Sequence, residues 1–305
     1  MNFNESLLTG EERYLFALRA LWHSHGFRQF RMSKFEEYDL YARNKDFLIS
    51  GSILSFTDLN GRLMALKPDV TLSIVRGGRD TSPELRKLYY NENVYRPAAH
   101  GGTFRELTQA GVECLGGVGT EQIAETLSLA GQSLALISEN FRLTVSHLGI
   151  LTSLLDRLGA QGQKREDILR CVARKNPHEL AALCAGGDQG AAQALQTLLT
   201  VSGDSSETFP LLRELGCDPD AVTVLERVTA GLAHTRLDFS IVSNLKYYNG
   251  IVFEGFIDGA PGRVLSGGQY DQLMRKLGRS DRAVGFAIFL DQLERLLEES
   301  EVGTI

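Results

Sequence analysis

Two stretches carry side chains that can do chemistry at strand spacing. In "FRELTQAGVECLG" (104–116), counting by twos puts Arg105, Leu107, Gln109, Gly111 and Glu113 on one face, and Glu106, Thr108, Ala110, Val112 and Cys114 on the other. The second face is mostly small or apolar and suits packing against helices. The first sets polar groups around a glycine, as a sheet surface does where it must leave room for a ligand. In "LKYYNGIVFEGF" (245–256) the same count places Tyr248, Gly250, Val252 and Glu254 together, with Lys246 beside them to neutralise a carboxylate. If the two strands are neighbours, a tyrosine, a glutamine and a carboxylate converge on one cleft. A small ligand with ring N–H or ammonium donors would satisfy them, because a buried carboxylate without a partner is costly. The alternative is a polar sheet face open to solvent. Tyr247, on the opposite face, is assigned to the core, and Gly267-Gly268 is either a tight turn or a ligand-facing loop.

Composition sets the frame for these strands. A chain of 305 residues, 43% hydrophobic and 23% charged, builds a sizeable core and one or two domains. The net charge of -6 argues against a large nucleic-acid footprint, since phosphate contacts need clustered Lys and Arg. Cys114, Cys171, Cys184 and Cys217 are scattered, with no C-x-x-C, which suggests reduced buried thiols rather than a disulfide framework or a zinc site. The six histidines show no metal spacing; His23 and His25 are two apart on a helix and cannot face one ligand. No apolar run reaches membrane length and the N-terminus lacks a signal peptide's pattern, so a cytoplasmic protein is expected.

The positioning elements follow from periodicity. Thr9 with Glu12 forms a capping box for a helix whose apolar side repeats at Tyr14, Leu18, Leu21 and Trp22, and Gly26 ends it. "FRQFRMSKFEEY" is expected as one strand, "SILSFTDLNGRLMALKPD" as a hairpin turning at Asn60-Gly61, Thr71–Val75 as a short helix and "LYYNENVYR" as a strand. A helix over 121–139 precedes a Leu/Ala-rich helical insertion at 152–235. Strands return with "LDFSIVS", the tyrosine motif and "RVLSGG", and "FAIFLDQLERLLEES" is expected as the closing helix. This order is α+β rather than alternating βαβ.

Five segments in this order resemble the histidyl-tRNA synthetases. They are "LMALKPDVTLSIVR", "NVYRPAAHGGTFRELTQAGVECLG", "LKYYNGIVFEGF", "LSGGQYDQLMRKLG" and "AVGFAIFLDQLERLL". The resemblance implies a class II synthetase-like fold over 1–305, an antiparallel sheet flanked by helices and carrying the 152–235 insertion; the anticodon-binding domain that this family carries after motif 3 is expected to be missing here. It also implies that Asp69, Thr71, Gln109, Glu113, Tyr248 and Tyr270 bind free histidine. Arg96 matches the family's motif 2 arginine, and its role is open between a surface cation, a partner of an acidic residue and a phosphate contact.

The departures concern phosphate chemistry, which needs cations around ATP. Ala98 stands where the family has Glu, Lys246 where it has Asp, and Thr103, Ser243 and Gln292 where it has arginines. Each lost charge donor costs about 10²–10³ in rate. Binding groups kept and reacting groups lost resembles a synthetase-like family that also stops after motif 3, the regulatory subunits of short-form ATP phosphoribosyltransferase. That resemblance implies no catalysis and no cofactor or metal, and assembly with the short catalytic chain in a hetero-octamer. It further implies activation of the first step of histidine biosynthesis and feedback by histidine. Self-dimerisation would run through the motif 1 stretch "FRQFRMSKF", where Ser33 replaces proline. An active adenylate-forming ligase is the alternative.

Overall fold

The computed structural model describes residues 7–48, 52–77, 84–98, 102–203, 205–242, 247–294 and 296–298. Helix α1 (Gly10–Ser24) begins as expected. The Thr9 hydroxyl accepts the Glu12 N–H, the Glu12 carboxylate accepts the Thr9 N–H, and Gly26 at φ 81° releases the chain. Its buried side is Tyr14, Leu15, Leu18 and Trp22.

The stretch from 27 to 38 forms two short strands instead of one, β1 (Arg28–Gln29) and β2 (Phe35–Glu37). The reason is topological. β1 pairs with Leu88 and Tyr89 in the large sheet, while β2 pairs with Met64–Leu66 in a small one, so the chain between them must cross over. Helix α2 (Tyr38–Ala42) follows, then β3 (Ser55–Thr57) and β4 (Leu63–Leu66). Their hairpin closes where the Asp58 carboxylate accepts the N–H groups of Asn60 and Arg62, with Gly61 at φ 77°.

After α3 (Thr71–Gly77), strands β5 (Arg86–Pro97) and β6 (Phe104–Gly116) pair along their whole length. Next come α4 (Thr120–Ala135) and β7 (Phe141–His147), a strand the sequence pattern did not single out. From Leu148 to Thr229 the regular elements are helices apart from one two-residue strand. The elements are α5 (Leu148–Arg157), α6 (Gly162–Ala173), α7 (Pro177–Cys184), α8 (Gln189–Thr200), β8 (Ser202–Gly203), α9 (Ser205–Glu214) and α10 (Pro219–Thr229). The order closes with β9 (Thr235–Asp238), β10 (Ile251–Ile257), β11 (Arg263–Gln269), α11 (Asp271–Lys276) and β12 (Arg282–Phe289).

Strand β12 corrects the expected closing helix. Phe286–Phe289 belong to the sheet, where Phe286 and Ile288 enter the core while Ala287 and Phe289 face a cavity. A 3₁₀ turn at Leu290–Gln292 and a helical stretch at 294 and 296–298 come only afterwards. Period-two burial and a ladder against β6 override the helical reading of these apolar residues.

The large sheet runs β1-β5-β6-β12-β11-β10-β7-β9-β8, antiparallel except for the β1–β5 and β7–β9 pairs. β2, β4 and β3 form a separate three-stranded sheet. The face of β6 bearing Ala110, Val112 and Cys114 joins a core with α1, α4 and helices of the 148–229 stretch, as its small and apolar pattern led one to expect. The other face, with Gln109, Gly111 and Glu113, is left for the cavity described below. All four cysteines are buried. No helix among the described residues is long and apolar enough to cross a membrane.

Trp22 locks α1 to α4. Its indole N–H donates to Ser133 Oγ at 3.1 Å, and its ring packs on Tyr89 and Phe286. Trp22→Ala is expected to remove about 3–5 kcal/mol of folding stability, read as a lowered urea midpoint with an unchanged slope.

Candidate functional site

The site is assembled on one buried segment, Lys67–Asp69. The Lys67 ammonium, 1% exposed, pairs with Glu92, its carbonyl accepts the Tyr95 N–H at 2.9 Å, and the Pro68 carbonyl accepts Arg96 Nε at 2.8 Å. These contacts fasten the segment to β5. Asp69 then caps α3 by accepting the Leu72 N–H at 2.8 Å. Burial pushes its carboxyl above the usual range, against the pull of Arg96.

Glu113 stands at the other end. Thr71 Oγ1, in the first turn of α3, and the Tyr270 hydroxyl, after β11, each donate to one of its carboxylate oxygens at 2.5 Å. Burial pushes Glu113 up to about 8, although both hydroxyls favour its ionised form. Room for it comes from Gly285, its cross-strand partner on β12, where a Cβ would sit 1.9 Å from Glu113 Oε2. Gly111 makes the matching allowance beneath the Tyr90 ring, since a Cβ there would meet its hydroxyl at 2.7 Å.

Between the two carboxylates lies a cavity of about 240 Å³, smaller than the roughly 300–1,000 Å³ of clefts for drug-sized ligands. Asp69, Thr71, Arg96, Gln109, Glu113, Tyr248 and Tyr270 all line it. Thus the six residues that the resemblance assigned to histidine, and Arg96, all reach one wall or another. Arg96 is buried rather than a surface cation. Burial draws its guanidinium below the usual value, the charges of Asp69 and Asp291 support it, and Nη2 donates to Gln109 Oε1 at 3.5 Å.

Several expectations need correction. Tyr247 belongs to the core, as expected, but it also reaches the cavity beside Tyr248, their rings 4.7 Å apart and edge to face. Both precede β10, so strand alternation does not apply to them. β10 and β6 are not neighbours, because β11 and β12 run between them. Glu254 therefore does not join the cleft. It pairs with Arg263 and lines a different cavity, and the site's carboxylate is Glu113 on β6 itself. Gly267 and Gly268 form neither a turn nor a loop but lie inside β11, Gly268 under the Tyr248 ring.

Among the departures, Thr103 is exposed at the β5–β6 connection, where its carbonyl accepts the Ala98 N–H. Gln292 is bonded to the Asp291 carboxylate at 2.8 Å, and Ser33 is exposed. Ser243 and Lys246 lie outside the described residues. Sequence reasoning missed Tyr90, Ser266 and Phe289 in the wall. Parity in "LYYNENVYR" would have found Tyr90, which shares a face with Arg96. The arrangement offers carboxylates at two ends, hydroxyls and an amide between, and aromatic walls, which suits a small zwitterion with an N–H-bearing ring. No group of three or more metal-ligating side chains occurs among the described residues.

The model of the histidyl-tRNA synthetase family matches residues 6–293. The chain belongs to that family. Its relatives include an ATP phosphoribosyltransferase regulatory subunit of Anaeromyxobacter sp., 30% identical over 93% of this chain and 87% of the other. A second, from Clostridium kluyveri, is 29% identical over 92% of this chain and 76% of the other. A histidine–tRNA ligase of Methanocaldococcus jannaschii is 27% identical over 93% and 71%. Among solved structures, an ATP phosphoribosyltransferase regulatory subunit/histidyl-tRNA synthetase from Bacillus halodurans superposes with a TM-score of 0.81 at 23% identity, over 94% of this chain and 79% of that one. The ATP phosphoribosyl transferase (HisG:HisZ) complex from Thermotoga maritima gives 0.72 at 19%, over 91% and 96%. These two likenesses concern the class II synthetase-like fold.

The raised Glu113 carboxyl has a stability consequence. The native chain holds a proton that the unfolded chain releases near the ordinary carboxylate value, so native stability falls as pH rises from about 4.5 to about 8. Glu113→Gln removes that dependence. Urea unfolding of both proteins from pH 5 to 9 should show the variant gaining on the wild type through this window and keeping a constant lead above it.

Proposed function

We propose that this chain is a non-catalytic regulatory subunit of ATP phosphoribosyltransferase that holds free histidine in the cleft between Asp69 and Glu113. The observation that carries the reading is the charge inventory of the cleft. Two buried carboxylates face two cations, Arg96 and Arg263; Arg96 lies under the charges of Asp69 and Asp291, and Arg263 is paired with Glu254. Such a site suits an ammonium and an imidazole, while a triphosphate would meet carboxylates without free cations to balance it. Thr103, exposed away from the cleft, and Gln292, bonded to Asp291, add no charge where synthetase chemistry uses arginine. The regulatory-subunit names of the relatives, and a structural neighbour that is itself a phosphoribosyltransferase complex, support the same assignment.

On this reading the α-ammonium of histidine meets Asp69 and Thr71, with Gln109 within reach, and the imidazole lies between Glu113, Tyr248 and Tyr270. The partner is the short catalytic chain, joined in a hetero-octamer, with a self-dimer formed through the motif 1 stretch around Ser33. Histidine carries feedback on the first step of its own synthesis through a coupling of about 1–3 kcal/mol, the usual allosteric scale.

Asp69→Ala and Glu113→Ala should each weaken histidine binding at least a hundredfold in titration calorimetry, the scale of leaving a buried charge without its partner. Proton linkage gives an independent signature. Free imidazole titrates near 6.5 and free Glu113 near 8, so between those values one proton is already shared out as the complex needs it. Histidine should bind there without net proton exchange, with proton uptake above about 8 and release below about 6.5, and affinity should fall on both sides. Titration in buffers of different ionisation enthalpy measures this. Unchanged affinity in both variants would place histidine elsewhere.

The partner and the absence of catalysis are tested together. Mixing with a short catalytic chain should give one larger species in gel filtration and altered phosphoribosyl transfer. Histidine-dependent exchange of labelled pyrophosphate into ATP should stay at background. An exchange rate above background would instead favour an adenylate-forming ligase.

A further inference from the structure

A second cavity, of about 680 Å³, opens on the same face of the sheet, between strands β7, β9 and β10 and helix α6. The two cavities share a row of cross-strand partners. Arg236 stands opposite Thr144, Thr144 opposite Glu254, Glu254 opposite Ser266, Ser266 opposite Ala287, and Ala287 opposite Gly111. The Arg263–Glu254 pair stands between them, since Glu254 lines the larger cavity and Arg263 the smaller. The histidine cleft and this space are thus adjacent but separately walled.

What distinguishes the larger cavity is its excess of guanidinium. Arg142, Arg170 and Arg236 line it, with the hydroxyls of Thr144 and Ser240. Arg142 lies over the Phe256 ring at 5.5 Å, and among the described residues neither it nor Arg236 has a carboxylate partner. Arg170 bonds Asp167 at 2.9 Å. The two carboxylates in the wall are already engaged: Glu254 with Arg263, and Asp238 with Lys175 at 2.9 Å and with the Ser240 N–H and hydroxyl. Leu169, Ala173, Ile241 and Val242 supply an apolar side facing these charges. Guanidinium forks match the tetrahedral face of a phosphate, and hydroxyls add donors that carry no charge.

We propose that this cavity binds a phosphorylated small molecule of nucleotide size, its phosphate seated on Arg142, Arg170 and Arg236 and its ring against the apolar side. The space is nearly three times that of the neighbouring cleft, more than an inorganic anion alone would fill. Nothing in the cleft's proposed role requires it, so the two sites stand or fall separately.

The test titrates the full-length protein with inorganic phosphate and, separately, with adenosine monophosphate, at fixed ionic strength. Both should saturate, the nucleotide about tenfold or more tighter, and both should weaken with added salt. The double variant Arg142→Gln/Arg236→Gln should lose at least about tenfold in affinity for either probe, the scale of charge-assisted hydrogen bonds, while keeping the wild-type melting temperature. Should the double variant melt early, Arg236→Lys, which keeps the charge but not the fork, must still weaken binding. Failure of both probes to saturate at millimolar concentration, or equal affinity in folded variants, overturns the site. Phosphate binding with no gain for the nucleotide overturns the role of the apolar side.

Discussion

The carboxylate of Glu113, buried between two hydroxyls, is the constraint that the rest of the site obeys. A carboxyl group withdrawn from water must find donors or keep its proton, and here it does some of each. Thr71 and Tyr270 donate to its two oxygens from elements about 200 residues apart in the chain, and burial still holds it mostly protonated at neutral pH. Meeting both donors fixes the first turn of α3 and the residue that follows β11 against β6. Gly285 has to be glycine for the carboxylate to lie there at all. One side chain therefore dictates a backbone position on the neighbouring strand and the placement of two connections.

The opposite end of the cleft is fixed by other means. Asp69 hangs on a segment that Lys67 ties to Glu92 and Arg96 ties through the Pro68 carbonyl. Arg96 therefore has a structural task of its own, and the charge of Asp69 supports its guanidinium against the cost of burial. A cation whose donors are directed at a carbonyl and an amide, in the field of Asp69, is less available to a phosphoryl group than a free one.

Much of this was legible in the sequence, and the parts that were not have a common cause. Period-two counting separated the two faces of β6 correctly because both are long-range paired along thirteen residues, with one face buried against helices. The same counting gave the right outcome for Tyr247 and Tyr248 for the wrong reason, since both stand before β10 begins, and it misplaced Glu254, because it could not see that β11 and β12 intervene between β10 and β6. "FAIF" looked helical because Phe, Ala and Ile suit either element. What decided for a strand was the open edge of β6, a tertiary fact. The break in 27–38 likewise follows from membership of two different sheets. Asp69, Thr71 and Tyr270 could be placed in the cleft only through the family resemblance, since each sits at the end of an element, where periodicity carries no information about direction.

The sheet row from Gly111 to Arg236 runs beneath both cavities. Along it, residue size and charge change strand by strand: glycine and alanine beneath the smaller cleft, serine at its rim, then glutamate, threonine and arginine under the larger cavity. Because neighbouring strands hold these residues in fixed register, the Arg263–Glu254 pair is anchored at a set place between the cavities. The bulge in the β10–β11 pairing between Gly255 and Phe256 lies one residue beyond Glu254, where the ladder is locally disrupted. The one ion pair faces both cavities, Glu254 toward the larger and Arg263 toward the smaller.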